Sequence, residues 1–418
     1  MAADRFANAD VVHNLTPARA AVVTPDFYEY VWSPLTMARL DGRFVEMAWA
    51  DGTSLRAYSL WLREQAVGAG GVDPSTREGL MDPALLHDDV QIGDVAVTGD
   101  GALAIRWQPD AVDAIYHPGW LRHVAEGQHR PSSWLPEPVA WTAADRSEPP
   151  THDGANILND EQAFAAYLSD LVGYGLARLR NLPADLDFGL AFAKLIGPVR
   201  DSNFGPIWDV KADIPLEGAS ATNSTANTTR RLGPHTDLPT RETPPGYQFL
   251  HCVQNTTEGG YSTMADGAAV VDYIADHHPE HYEALTTLRW VFFNRGIGID
   301  HRWSGPIIDQ GVPGSPLTLR AFYPVKAFPD MDEADMPRAY AAAQCFSDVA
   351  TDARFQISYP FEVGDMIGFD NRRILHGRDE YSAGGQRHLR GFYIDHDEIL
   401  SRARVCARAT SRLRAPSS

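Results

Sequence analysis

The sequence predicts a mainly β protein with helical buttresses, a β-sandwich or jelly roll preceded by a small β-rich amino-terminal domain. Three observations lead there. The 418 residues exceed what one hydrophobic core usually spans, so two domains are expected. From residue 245 onward short apolar strands dominate, and only two helical stretches interrupt them. Near the start, strand-like segments are hinged on Asp51-Gly52 and Asp100-Gly101, dipeptides suited to tight hairpin turns.

The elements follow in order. RFVEMAWADGTSLRAYSLWLRE carries two strands around Asp51-Gly52, and QIGDVAVTGDGALAIRW carries two more beyond the Gly-rich AVGAGGVD. These place a small β domain at residues 1–125. Residues 126–155 hold many Pro, Ser, Thr and Asp and no sustained apolar period, and are read as a linker. The larger domain spans 156–410. Asn159 can cap its first helix, where Phe164, Tyr167, Leu168, Leu171 and Val172 recur at helical spacing. Strand-like GLARLRNL and a second helix, DFGLAFAKLIG, come next. The strands YQFLHCVQ, LRWVFFN, LTLRAFY, RFQISYPF, DMIGFD and RHLRGFYID follow, with helices expected in GAAVVDYIADHHPEHYEAL and DEADMPRAYAAAQCFSDVA. No repeat or low-complexity tract is present.

Composition narrows the function classes. Lys and Arg number 36 against 55 Asp and Glu, a net charge of −19. Such a field repels phosphates, so neither nucleic acid nor an anionic membrane is an expected partner. The three cysteines Cys252, Cys345 and Cys406 are far apart, which argues against a disulfide framework and a cysteine-built zinc site. With neither a secretory leader pattern nor an 18-residue apolar run, the expected location is cytoplasmic.

The chemistry concentrates in RLGPHTDLPTRETPPGYQFLHC. In an extended strand alternate side chains share a face, so His235 and Asp237 point the same way. One imidazole and one carboxylate make two thirds of a 2-His-1-carboxylate set, which holds Fe(II) and leaves coordination positions open. His376 in FDNRRILHGRDEY, 139 positions further on, is the candidate third ligand. Eleven residues beyond it Arg387 offers a planar fork suited to a carboxylate, here the distal carboxylate of 2-oxoglutarate. The H-x-D pair is weak alone; the quartet is a strong signal. Other histidines have plainer readings: His251 as a core residue, His388 on the opposite strand face from Arg387, and His277, His278 and His281 as a solvated helix end.

HTDLP, PPGYQFLHC, GGYSTMADG, FDNRRILHGR and RHLRGFY resemble the gamma-butyrobetaine hydroxylase and trimethyllysine hydroxylase branch of the taurine-dioxygenase superfamily, over essentially the whole chain. The resemblance implies a double-stranded β-helix with iron at His235, Asp237 and His376. It also implies 2-oxoglutarate on Arg387, helped by the Ser262 hydroxyl. The partners are then a small-molecule substrate and dioxygen, with a homodimer left open. Hydroxylation of a small amine, betaine or amino-acid-like metabolite is the expected reaction. Desaturation, cyclisation or epoxidation by the same iron chemistry is the alternative, with a silent scaffold of the same fold behind it. Because Asp237 supplies the carboxylate that related halogenases lack, halogenation is not expected.

The sequence departs from those relatives twice. Their accessory domain carries a zinc site of three cysteines and a histidine, whereas WLREQAVGAGG has no cysteine. Around the expected substrate, Trp208 and Tyr393 retain two positions of an aromatic cage, and Phe204 replaces a tyrosine. Asn227 replaces another tyrosine, Ser224 stands where relatives have an asparagine, and the asparagine-rich strand of relatives reads LRAFYPVK, with Tyr323. A rebuilt pocket follows, in which a relative's own substrate need not fit.

Overall fold

The computed structural model describes residues 22–82, 90–211, 225–294, 298–311, 316–321, 327–382 and 385–414; Ser224 and Tyr323 lie outside them. The chain divides into two compact units, 1–133 and 134–418.

The smaller unit pairs two three-stranded antiparallel sheets. One is β1 (Leu35–Asp41), β2 (Phe44–Trp49) and β3 (Ser54–Tyr58); the other is β4 (Gln91–Val97), β5 (Leu103–Gln108) and β6 (Val112–Tyr116). Alternation fills one core from both: Val45, Met47 and Trp49 of β2 meet Leu103, Ile105 and Trp107 of β5. Gly52 and Gly101 turn the predicted hairpins with φ of 88° and 91°, a region glycine enters at little cost. SLWLRE, expected to continue a strand, is instead the helix Ser59–Glu64. Its Leu62 is buried, and Trp61 stacks on Trp120 at 5.5 Å. Within it, the buried Arg63 donates from Nη1 to the Ala69 carbonyl at 2.7 Å, tying down the loop that follows. A closed structural zinc site needs about four ligands. Protein prepared without added metal is therefore expected to contain no zinc in this unit by elemental analysis. Close to one zinc per chain, surviving mild chelation, would refute that.

The larger unit contains β7 (Thr151–Asp153), β8 (Leu176–Arg180), β9 (Val199–Arg200), β10 (Trp208–Lys211), β11 (Leu232–His235), β12 (Tyr247–Asn255), β13 (Ser262–Asp266), β14 (Arg289–Phe293), β15 (Arg302–Gly305), β16 (Ile308–Asp309), β17 (Thr318–Leu319), β18 (Ala327–Asp330), β19 (Gln356–Tyr359), β20 (Met366–Asp370), β21 (Ile374–Arg378) and β22 (Arg387–Ile394). A seven-stranded sheet runs β10-β22-β12-β20-β8-β7, with β9 also on β22, and a four-stranded sheet runs β11-β21-β13-β19. The two share a core. Leu176, Cys252, Ile367, Phe369 and Leu389 of the first pack with Met264, Ile357, Tyr359 and Ile374 of the second. The helix Glu161–Gly173 packs on the other face of the larger sheet through Phe164, Tyr167, Leu168 and Leu171. Asp160 caps it rather than Asn159, its carboxylate accepting the N–H groups of Gln162 and Ala163.

Two readings are corrected, one by long-range contacts and one by a local break. The later part of the stretch taken as a linker is packed: Trp141 is buried, its indole donates to the Tyr174 carbonyl at 2.9 Å, and β7 pairs with β8. GAAVVDYIADHHPEHYEAL breaks into helices Gly267–His277 and Pro279–Thr287, because proline has no N–H and disfavours helical geometry in the residue before it. No helix among the described residues is long and apolar enough to cross a membrane.

Candidate metal centre

β11 and β21 are antiparallel neighbours, and His235 stands directly opposite His376, with ring centroids 4.0 Å apart. The strand stops at His235 instead of running on through Asp237. The chain bends at Asp237 instead, and Leu238 directly after it holds a φ of 52°. Asp237 Oδ1 lies 3.5 Å from His235 Nε2 and 3.9 Å from His376 Nε2. Among the described residues this is the one group of three such side chains close enough to hold a metal ion.

The protonation states suit a cation. His235 donates from Nδ1 to the Gly233 carbonyl at 2.9 Å, which turns its Nε2 towards Asp237 and His376. Burial, and then the neighbouring His235, hold the His376 imidazole down to about 3, so it is neutral near pH 7. Burial alone would raise Asp237. The neighbouring histidines and the Tyr393 hydroxyl outweigh it, and the carboxyl stays below its ordinary range. Tyr393 donates to Asp237 Oδ2 at 2.8 Å, so Oδ1 is the oxygen left for the imidazole side.

Asn371, which sequence reasoning passed over, holds the backbone of Asp237. Its Oδ1 accepts the Asp237 N–H at 2.7 Å, and its Nδ2 donates to the Asp237 carbonyl at 3.0 Å. It belongs to the turn between β20 and β21, where every side chain is engaged. Asp370 meets His396 at 2.8 Å, Arg372 donates to the Pro244 carbonyl, and Arg373 grips Asp266 through two bonds. Breaking a buried pair like Arg373–Asp266 typically costs about 3–5 kcal/mol, so the turn is stiff. A recognisable signal was present, since Asn371 lies within FDNRRILHGR five residues before His376.

Arg387 is buried on β22, and its Nε has no hydrogen-bond partner. Burial, and then the neighbouring Arg378, pull it down to about 10, still cationic at neutral pH. No carboxylate pairs with it among the described residues. The nearby arginines are committed elsewhere: Arg378 donates to the carbonyls of Ala226, Thr228 and Arg230, and Arg390 lies 3.6 Å from Asp209. Ser262 is buried on β13, opposite Arg378.

The expected substrate residues fall into two groups. Trp208 lies 4.2 Å from the Tyr393 ring, and Phe204 lies 6.4 Å from Trp208. A Cβ at Gly391 would come within 2.5 Å of the indole, so this glycine, also missed, makes the room. Asn227 is buried and accepts the Lys211 N–H at 3.3 Å, an oxygen already occupied. The histidines given plainer readings behave so: His388 faces Asp209 at 2.6 Å, His251 is buried beside Phe188, and His277 bonds the Tyr273 carbonyl within its own helix.

Two imidazoles, one carboxylate on a single oxygen and a buried arginine fork are the side-chain set of a non-heme iron, 2-oxoglutarate-dependent dioxygenase. Comparison with known proteins gives the family. Residues 140–393 match the model for "Taurine catabolism dioxygenase TauD, TfdA family", and the chain belongs to it. It is 34% identical to a gamma-butyrobetaine dioxygenase from a Pseudomonas species, over 90% of this chain and 97% of that one. The human gamma-butyrobetaine dioxygenase is 27% identical over 88% and 95% of the two chains. A chicken mitochondrial trimethyllysine dioxygenase is 24% identical over 88% and 87%.

Proposed function

We propose that His235, Asp237 and His376 hold Fe(II) in a double-stranded β-helix, and that Arg387, with Ser262, takes the distal carboxylate of 2-oxoglutarate. The observation that supports this most is a buried cation with a free Nε and, among the described residues, no carboxylate partner, beside Arg378 on the strand that carries His376. The donor set fits the metal: imidazole and carboxylate suit Fe(II), and three protein ligands leave positions for co-substrate and dioxygen. Bound iron supplies oxidation of a substrate C–H by dioxygen, coupled to decarboxylation of 2-oxoglutarate. The chain's own residues do the rest. His235 is oriented by Gly233, Asp237 is restricted to one oxygen by Tyr393, and Arg387 fixes the far end of the co-substrate.

The substrate is a small amine, betaine or amino-acid-like metabolite. The named relatives act on gamma-butyrobetaine and trimethyllysine, and the Phe204–Trp208–Tyr393 run offers ring faces to a cationic nitrogen at about 0.5–2 kcal/mol each. Asn227 in place of an aromatic favours a substrate with a hydrogen-bonding group over a fully methylated ammonium. Gamma-butyrobetaine is therefore expected to be a poor substrate. The test is succinate release across a panel of amines, with mass spectrometry of each product. A true substrate gives a product heavier by one oxygen; a product lighter by two hydrogens would move the reaction to desaturation. No succinate with any amine leaves the scaffold reading. For the substrate found, Trp208→Ala is expected to raise its KM roughly twofold to thirtyfold, one ring's worth of cation–π energy, with the KM for 2-oxoglutarate little changed. Efficient gamma-butyrobetaine hydroxylation, or ordinary substrate kinetics in Trp208→Ala, would defeat the pocket assignment.

A further inference from the structure

The two ligands Asp237 and His376 are far apart in sequence, yet their metal-facing atoms are 3.9 Å apart. β11 places His235 against His376 by strand pairing, but Asp237 lies past the end of that strand and gains nothing from the ladder. We propose that Asn371 is a positioning residue for the metal: its side-chain amide sets the place of Asp237 relative to His376. The proposal rests on the assignment of His235, Asp237 and His376 as the iron ligands.

Four observations carry it. Asn371 is fully buried, and both ends of its amide are used on the backbone of Asp237. Those partners also fix which end is which, since an N–H can only donate and a carbonyl only accept. Nδ2 reaches the Pro245 carbonyl as well, at 3.3 Å, and the Asn371 N–H donates to the Gly246 carbonyl at 2.8 Å, so the amide does not swing. Leu238, directly after Asp237, is held at a left-handed φ that a leucine adopts only when its surroundings compel it. Finally, Asn371 stands five residues before His376 on a turn pinned by Asp370, Arg372 and Arg373. One stiff turn thus reaches His376 through the chain and Asp237 through the amide. Thr236 adds a neighbouring hold, its hydroxyl donating to the Leu319 carbonyl at 3.0 Å, but it does not touch Asp237's own backbone groups.

The experiment measures Mn(II) binding to the metal-free, full-length protein by the electron paramagnetic resonance of unbound Mn(II), alongside the melting temperature. Asn371→Ala removes the amide. Asn371→Asp is nearly isosteric and keeps the oxygen facing the Asp237 N–H, but it has no donor for the carbonyls. Its added negative charge would by itself favour a cation, so weaker binding there isolates the lost orientation. Arg372→Gln loosens the same turn without touching Asp237, and His376→Ala tests the ligand assignment itself. Loss of a residue that orients a metal ligand typically costs about 10–100-fold in affinity. Both Asn371 variants are expected to raise the Mn(II) Kd by about tenfold or more, with Arg372→Gln within about twofold of wild type. Should Asn371→Ala fail to fold, Asn371→Asp decides. Unchanged or tighter binding by the Asn371 variants overturns the proposal, as does an equal loss in Arg372→Gln, which would make the effect one of turn stability. If His376→Ala itself binds like wild type, the ligand assignment falls first, and that failure is separately visible.

Discussion

Replacing His376 by alanine is expected to abolish stoichiometric Fe(II) binding and all turnover while leaving the fold largely intact. Each half has its own physical basis. Three protein ligands are the minimum of a facial set, and the two that remain, His235 and Asp237, offer one nitrogen and one oxygen from the same short segment. The fold loses little because His376 contributes packing more than bonding. Its Nδ1 is buried with no partner, and its ring rests against Phe369 at 4.7 Å and His235 at 4.0 Å. β21 itself is held by backbone pairing to β11 and β13, which an alanine preserves. A buried imidazole with an unpaired nitrogen is a cost to folding, so its removal should shift the melting temperature only modestly. Metal titration, 2-oxoglutarate decarboxylation and a melt together check this. Undiminished decarboxylation would remove His376 from the ligand set.

That ligand set could be found in the sequence because its chemistry is tied to residue type and spacing. His-x-Asp, a distant His and an Arg eleven further on are rare as a set, and the structure brings the first three within a few ångström. The strands were legible for a related reason, since β12, β20 and β22 each carry closely spaced apolar and aromatic residues. What could not be read depends on pairs distant in sequence. An asparagine is a common turn residue, and nothing local says that Asn371 bonds Asp237. Trp141 sits among prolines and threonines, and only its burial against the core shows that this stretch is packed. Tyr393 could be placed on the inner face with Arg387 by counting residues, but the destination of its hydroxyl could not, and that changes its role. A tyrosine donating to Asp237 orients that carboxylate as well as offering a ring face.

The same distinction sorts the buried arginines, which look alike in sequence. Arg320 donates to the Pro239, Arg241 and Glu242 carbonyls and so holds the segment just after Asp237. Arg373 is saturated by Asp266 and two carbonyls, and Arg378 by three carbonyls. Each neutralises unpaired backbone oxygens and is structural. Arg387 differs in being buried without such a set.

Arg387→Lys is accordingly expected to weaken 2-oxoglutarate about tenfold or more, roughly 1.4 kcal/mol or greater, with little change in metal affinity or melting temperature. Lysine keeps the charge but loses the planar fork, so one ammonium must serve two carboxylate oxygens that the guanidinium could meet with parallel bonds. Its shorter reach from β22 lengthens the remaining contact. Stability should be nearly indifferent, because the Arg387 Nε makes no bond within the protein and no carboxylate partner is left stranded. The proposed metal ligands lie outside β22 and keep their own supports, Gly233 for His235 and Asn371 and Tyr393 for Asp237. The measurement is the apparent KM for 2-oxoglutarate from succinate release at saturating substrate, paired with Mn(II) affinity of the same preparation. A raised KM with unchanged Mn(II) affinity assigns the co-substrate to Arg387. An unchanged KM would pass the role to another cation, with Arg390 first in line because its pairing with Asp209 is loose at 3.6 Å.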